Sequence, residues 1–174
     1  MKKTVLTYGG IAGGAIVILM FISMSLLEGD NPNFKLAEIL GYITMIGALS
    51  LIFVAIKTYR DRELDGVINF GKAFKIGLMI TLVASAIYIA GWMIYSSTGG
   101  ASEFMEQYTQ YTIEEMRKSG EPQEVIDQKI TEMEKFQEMY KNPLVKIGFT
   151  FLEIFPVGLL ISLIAAGLLR KKPA

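Results

Sequence analysis

SSTGGASEFMEQYTQYTIEEMRKSGEPQEVIDQKITEMEKFQEMYKNP, residues 96–143, is the stretch whose reading decides the fold. It carries ten of the seventeen acidic residues and no apolar run long enough to cross a bilayer. Three apolar runs of about twenty residues precede it and one follows, each long enough to span hydrocarbon as a helix. The pattern predicts an all-α protein: a four-helix transmembrane bundle with an extracytoplasmic amphipathic helical hairpin between the third and fourth spans.

Inside this stretch Phe104, Tyr108 and Tyr111 recur at intervals of four and three, the period of one helix face. Ser119-Gly-Glu-Pro122 interrupts the pattern and supplies a cap and a first-turn proline for a second helix. In that second piece Ile126, Ile130, Met133 and Tyr140 share a face, and Asn142-Pro143 stops it. Two such helices over residues 102–141 are marginal alone, because short helices draw stability from packed apolar faces. Their stripes must meet each other, the membrane surface or a partner. Self-packing is favoured, with an envelope protein partner as the next reading. The net negative charge speaks against adsorption to anionic lipid.

Working outward, the flanking spans are expected at 74–95 and 145–169. Tyr88, Trp92 and Tyr95 gather at the far end of the former, as an aromatic belt requires. The latter contains Glu153, about 15 Å below the surface by helical rise. A carboxyl at that depth should face other helices and find a donor. Tyr42, Thr44, Ser85, Tyr88 and Ser23 are at comparable depth. Pro156 lacks an N–H and frees a backbone carbonyl nearby. Glu153 with Pro156 is the best candidate site, able in principle to bind a cation or pass a proton. The structural alternative, a protonated Glu153 that ties two helices together, is favoured over it.

The first span, 5–27, follows Lys2-Lys3. It exceeds an ordinary signal-peptide core and has no clear small-x-small cleavage site, so it is expected to remain as a span. Gly9, Gly10, Gly13 and Gly14 form two overlapping small-xxx-small pairs that let another helix approach closely. Packing within the chain is favoured over a dimer seam, although a homo-oligomer is allowed. Glu28–Asn33 reads as a turn, a second span follows at 37–56, and Asp65-Gly66 reads as another turn. The whole chain, 1–174, is thus expected to be a single integral membrane domain whose main partner is the lipid bilayer.

Orientation follows from the bases. Lys2, Lys3, Lys57, Arg60, Arg62, Lys72, Lys75, Arg170, Lys171 and Lys172 crowd one side of the bilayer. Lys35 and six bases between Arg117 and Lys146 are spread thinly over the other. The dense side should be cytoplasmic, with both termini inside and residues 96–143 outside.

Composition removes several chemistries. The chain has no Cys and no His, which excludes disulfides, thiolate or imidazole nucleophiles and most structural zinc sites. No cofactor or metal site is expected, and no catalytic residue stands out. An enzyme would have to work with carboxylates alone. A formal net charge of zero and the lack of a basic-aromatic module give no reason to expect nucleic acid. A non-enzymatic accessory or assembly module is the leading function, and a small transporter or channel subunit using Glu153 is the alternative.

The glycine-rich first span, Phe70-Gly-Lys-Ala-Phe-Lys-Ile-Gly77, the Ser119-Gly-Glu-Pro region and Glu153-Ile-Phe-Pro-Val-Gly158 occur here with Ser162-Leu-Ile and Arg170-Lys-Lys. Together they resemble a family of uncharacterised four-span membrane proteins of Gram-negative bacteria, a domain of unknown function. The resemblance implies an inner-membrane location and a periplasmic polar loop. It implies no activity, so no catalytic residue is carried over.

Overall fold

The computed structural model describes residues 1–25 and 33–171. Leu26 and Leu27 at the end of the first expected span, all of the Glu28–Asn33 turn except Asn33, and Lys172 lie outside the described residues. Among the described residues seven helices follow one another: α1 (Lys2–Ser25), α2 (Phe34–Leu49), α3 (Leu51–Glu63), α4 (Phe70–Ser97), α5 (Gly100–Lys118), α6 (Gln123–Tyr140) and α7 (Pro143–Leu169). Four helical stretches are long and apolar enough to cross a membrane: α1, α2 with α3, α4 and α7. The protein is a multi-pass membrane protein of the all-α class.

α1, α4 and α7 begin before the spans expected for them, at Lys2, Phe70 and Pro143, and α2 with α3 extends beyond 37–56 at both ends. α4 begins at Phe70 rather than near 74, because Asn69 caps it: its Oδ1 accepts from the Lys72 N–H at 2.8 Å. α2 and α3 are divided at Ser50, whose Oγ donates to the Ile46 carbonyl at 2.6 Å. A serine that bonds back to the preceding turn competes with the helical ladder and divides an otherwise uncharged run. The turn expected at Asp65-Gly66 is formed, with φ of +50° and +80°.

The chain divides into two compact units, Met1–Ala90 with Thr150–Ala174, and Gly91–Phe149. In the first, Ile16, Leu49, Ile52, Ile56, Ile76, Ile80 and Ile154 are fully buried. Large apolar side chains elsewhere on the same helices point outward: Ile18 is 62% exposed, Ile43 60%, Leu160 60% and Leu168 73%. A water-soluble bundle would conceal such residues, whereas a bilayer is their natural solvent.

Small residues set the helix spacing. A Cβ on Gly9 would lie 2.7 Å from Val83 Cβ, and one on Gly13 would lie 2.9 Å from Ile87 Cβ. Those two glycines therefore seat α1 against α4 within the chain. Gly10 and Gly14 have nothing within 4 Å of the same construction. The overlapping pairs of the sequence thus separate into one pair used internally and one that is open.

In the second unit α5 and α6 form the hairpin. Gly120, with φ of +75°, makes the reversal after Ser119, and Pro122 caps α6 without a side-chain bond. Ile126 and Met133 are buried between the helices, and Gln137 Nε2 donates to Thr109 Oγ1 at 3.1 Å. All ten acidic side chains of residues 96–143 are exposed. Glu115 accepts from Lys118 at 3.0 Å, which holds that ammonium's pKa above its ordinary value.

Candidate functional site

The intramembrane candidate is built by α4 and α7, which run antiparallel. Gly77, Thr81, Ser85 and Tyr88 repeat at four, four and three along α4; Thr150, Ile154, Gly158 and Ser162 repeat at four along α7. The two stripes interlock. A Cβ on Gly158 would collide with the Thr81 side chain, and one on Gly77 would lie 2.7 Å from Ser162 Oγ. Thr81 Oγ1 and Ser162 Oγ are 3.3 Å apart. Each also donates to the carbonyl four residues earlier in its own helix, to Gly77 at 3.1 Å and Gly158 at 2.7 Å. Both hydroxyls are thereby satisfied where water is absent.

Glu153 lies one residue from that stripe, about 100° around the helix from Ile154. This position gives it two surroundings. Its Oε2 accepts from the Tyr88 hydroxyl at 3.1 Å, and Tyr88 itself is buried. Yet Glu153 remains exposed at the rim of the α4–α7 seam, rather than enclosed among helices as its depth led us to expect. The reason is register: the fully buried positions on α7 go to Ile154 and to small residues that permit close approach.

The other residues predicted for this site are not all brought together. Ser85 is 1% exposed, and its Oγ has no hydrogen-bond partner. Pro156 is exposed on α7, where the helix continues through it to Leu169. Because its ring carries no N–H, the Leu152 carbonyl has no helical donor there. Tyr42 is 47% exposed on α2, and Thr44 is half-buried. The donor that reaches Glu153 is therefore Tyr88, one of the five depth-matched candidates. Among the described residues no cluster of three or more Asp or Glu side chains could hold a metal ion.

The predicted partner face behaves differently from a free surface. Phe104 stacks on Tyr108 with ring centres 6.1 Å apart and meets Trp92 edge-on at 6.4 Å. Tyr140 stacks on Phe136 at 5.5 Å, and its hydroxyl accepts from Trp92 Nε1 at 2.7 Å. Phe149 meets Phe136 edge-on at 5.1 Å. Ile126 and Met133 are enclosed; Tyr111 and Ile130 are half-buried. Of that face only Tyr108, at 39%, is counted among the exposed large side chains. Most of the apolar stripe is turned inward, and the outward surface carries all ten acids together with exposed Val125 and Met139.

Sequence reasoning missed the Thr81–Ser162 pair and the Trp92–Tyr140 bond. The four-residue spacing of Gly77, Thr81 and Ser85 was the available signal for the first. The second joins residues 48 apart and leaves no local trace.

With this geometry in hand, comparison with known proteins adds one finding. The model of a family described as "Protein of unknown function (DUF4199)" matches residues 7–171. The chain belongs to this family. The DUF4199 match runs through all four apolar spans and the hairpin, so the arrangement above is that of a family member over nearly its whole length. No curated protein and no solved structure matches the chain.

Proposed function

We propose that this DUF4199 protein is a non-enzymatic accessory or assembly module of the bacterial inner membrane. In this reading both termini are cytoplasmic, and residues 96–143 stand in the periplasm. The acidic outer surface of the α5–α6 hairpin docks on a basic surface of another envelope protein. What carries the reading is the division of the hairpin's side chains: Phe104, Tyr140, Ile126 and Met133 pack internally, while all ten acids face outward. A surface so prepared loses little conformational freedom on binding and attracts a basic partner at a distance. Photocrosslinking from the hairpin in native membranes tests it. The wild-type adduct should weaken as salt rises and vanish when Glu124, Asp127 and Glu134 are changed to Gln. An adduct that survives both changes removes the proposal.

A second reading rests on Glu153. A carboxyl exposed at the rim of an apolar bundle, bonded to Tyr88 and next to the Leu152 carbonyl, offers oxygen ligands of the kind that protons and hard cations use. A transporter or channel subunit built on this site would lose flux in liposomes on Glu153→Gln. Equal flux from both proteins assigns the carboxyl a structural role.

A further inference from the structure

At the opposite end of the Met1–Ala90 unit from Tyr88, a cleft of about 470 Å³ opens between α3 and the last residue of α7. Its floor is apolar, formed by Phe53, Val54 and Leu169. One turn further along α3 come Lys57 and Thr58, and one turn beyond those Asp61 and Arg62. The cleft therefore changes from hydrocarbon to cationic along its own length. Its walls are pinned. Arg60 Nη1 donates to the Leu169 carbonyl at 3.1 Å, and Ile68 and Lys171 exchange backbone hydrogen bonds of 3.1 and 2.8 Å.

Among the described residues the charge is uncompensated: Asp61 is the only acid of these that lines the cleft, and it already accepts from Arg60 Nε at 2.7 Å. Lys57 and Lys171 lie near enough to attract the same carboxylate. Among the described residues neither Lys57 nor Arg62 has an ion-pair partner, and both side chains are exposed. Below them Val54 is 49% exposed on the same face of α3, and Leu168, beside Leu169, is 73% exposed. A ligand suited to this cleft is an amphiphile with an anionic end.

We propose that the cleft binds the phosphodiester headgroup of an anionic phospholipid, with an acyl chain lying along Phe53, Val54 and Leu169. Lys57 and Arg62 hold the phosphate, Arg62 with the planar fork suited to two oxygens. The Thr58 hydroxyl, 3.4 Å from that of Tyr8, stands beside them as a neutral donor. A free phosphate would engage the basic half alone and leave the apolar floor unused. A zwitterionic lipid would bring a cation into a cleft already rich in them.

Native mass spectrometry of the full chain in a non-ionic detergent tests this, with phosphatidylglycerol, phosphatidylcholine and inorganic phosphate as probes. Phosphatidylglycerol should bind about tenfold more tightly than phosphatidylcholine, which carries the same phosphate but a choline cation that the surrounding bases repel. Lys57→Ala with Arg62→Ala should abolish that preference. Lys2→Ala with Lys3→Ala, an equal loss of charge, should preserve it. Val54→Trp, which fills the apolar floor and leaves every base in place, should weaken phosphatidylglycerol binding several-fold, so a cleft variant that fails to fold does not leave the question open. Millimolar phosphate should not displace the lipid. The proposal is overturned if the two lipids bind alike, if the preference survives the cleft variants, if the N-terminal pair abolishes it, or if phosphate competes as a soluble ligand of the same site.

Discussion

The α4–α7 seam and the α5–α6 hairpin are both antiparallel helix pairs, yet they are held together by opposite means. The seam has almost no bulk at its centre: Gly77 against Ser162, Gly158 against Thr81, with the two hydroxyls 3.3 Å apart and each donating to a carbonyl of its own helix. The hairpin is filled with Ile126, Met133 and stacked rings. The solvent explains the difference. Lipid tails are as apolar as leucine, so burying leucine between spans gains little, and close backbone approach must supply the attraction. In water, apolar area itself drives association. A single chain thus carries two packing codes, and each change below is aimed at one of them.

The largest effect is expected at the tightest point of the seam. Gly158→Leu forces a side chain into Thr81 and should destabilise the bundle by about 3 kcal/mol, since overpacked cores relax poorly. Thermal unfolding in detergent measures it, and Gly167→Leu, where nothing lies within 4 Å, should be silent. Equal losses at the two glycines would mean that helix propensity, rather than close approach, sets the seam. Next comes Met133→Ala, which removes a buried side chain from the hairpin and should cost about 2 kcal/mol. Hydrogen exchange should rise across residues 100–141 while the spans stay protected. Uniform exchange along the chain would join the two regions into one cooperative unit.

Three smaller changes concern single polar groups. Trp92→Phe deletes the 2.7 Å bond to Tyr140 and should lower hairpin stability by about 1 kcal/mol. At the seam, Tyr88→Phe removes the donor to Glu153 and should cost only about 0.6 kcal/mol, the average for such bonds between spans. Ser85→Ala should be neutral or slightly stabilising, because the lost hydroxyl has no partner. A marked loss there would reveal a partner for Ser85 that arrives only in the membrane.

How much of this was legible beforehand depends on the range of the interaction. The apolar runs announce themselves because no charge interrupts them, and Gly120 with Pro122 marks the hairpin's reversal locally. Ser50 gave no warning, since a serine in an apolar run bonds back or does not according to its surroundings. Gly9 and Gly13 were indistinguishable from Gly10 and Gly14, because only the position of α4 decides which pair is used. Glu153 was expected inside the bundle on energetic grounds. Its place at the rim follows from the register between Ile154 and the small residues of α4, and that register is tertiary.

Hydrocarbon around the outward apolar faces of the spans, and water around the hairpin, can be told apart by chemical labelling. The chain's lack of cysteine makes single-cysteine labelling direct. Leu160 is 60% exposed on α7, and Ser119 is exposed at the tip of the hairpin. In sealed vesicles of both orientations, a membrane-impermeant maleimide should modify Ser119→Cys in the outward-facing fraction and spare Leu160→Cys until the helices are unfolded in denaturant. Rapid modification of Leu160→Cys in the intact membrane, or protection of Ser119→Cys in vesicles of either orientation, would contradict this placement.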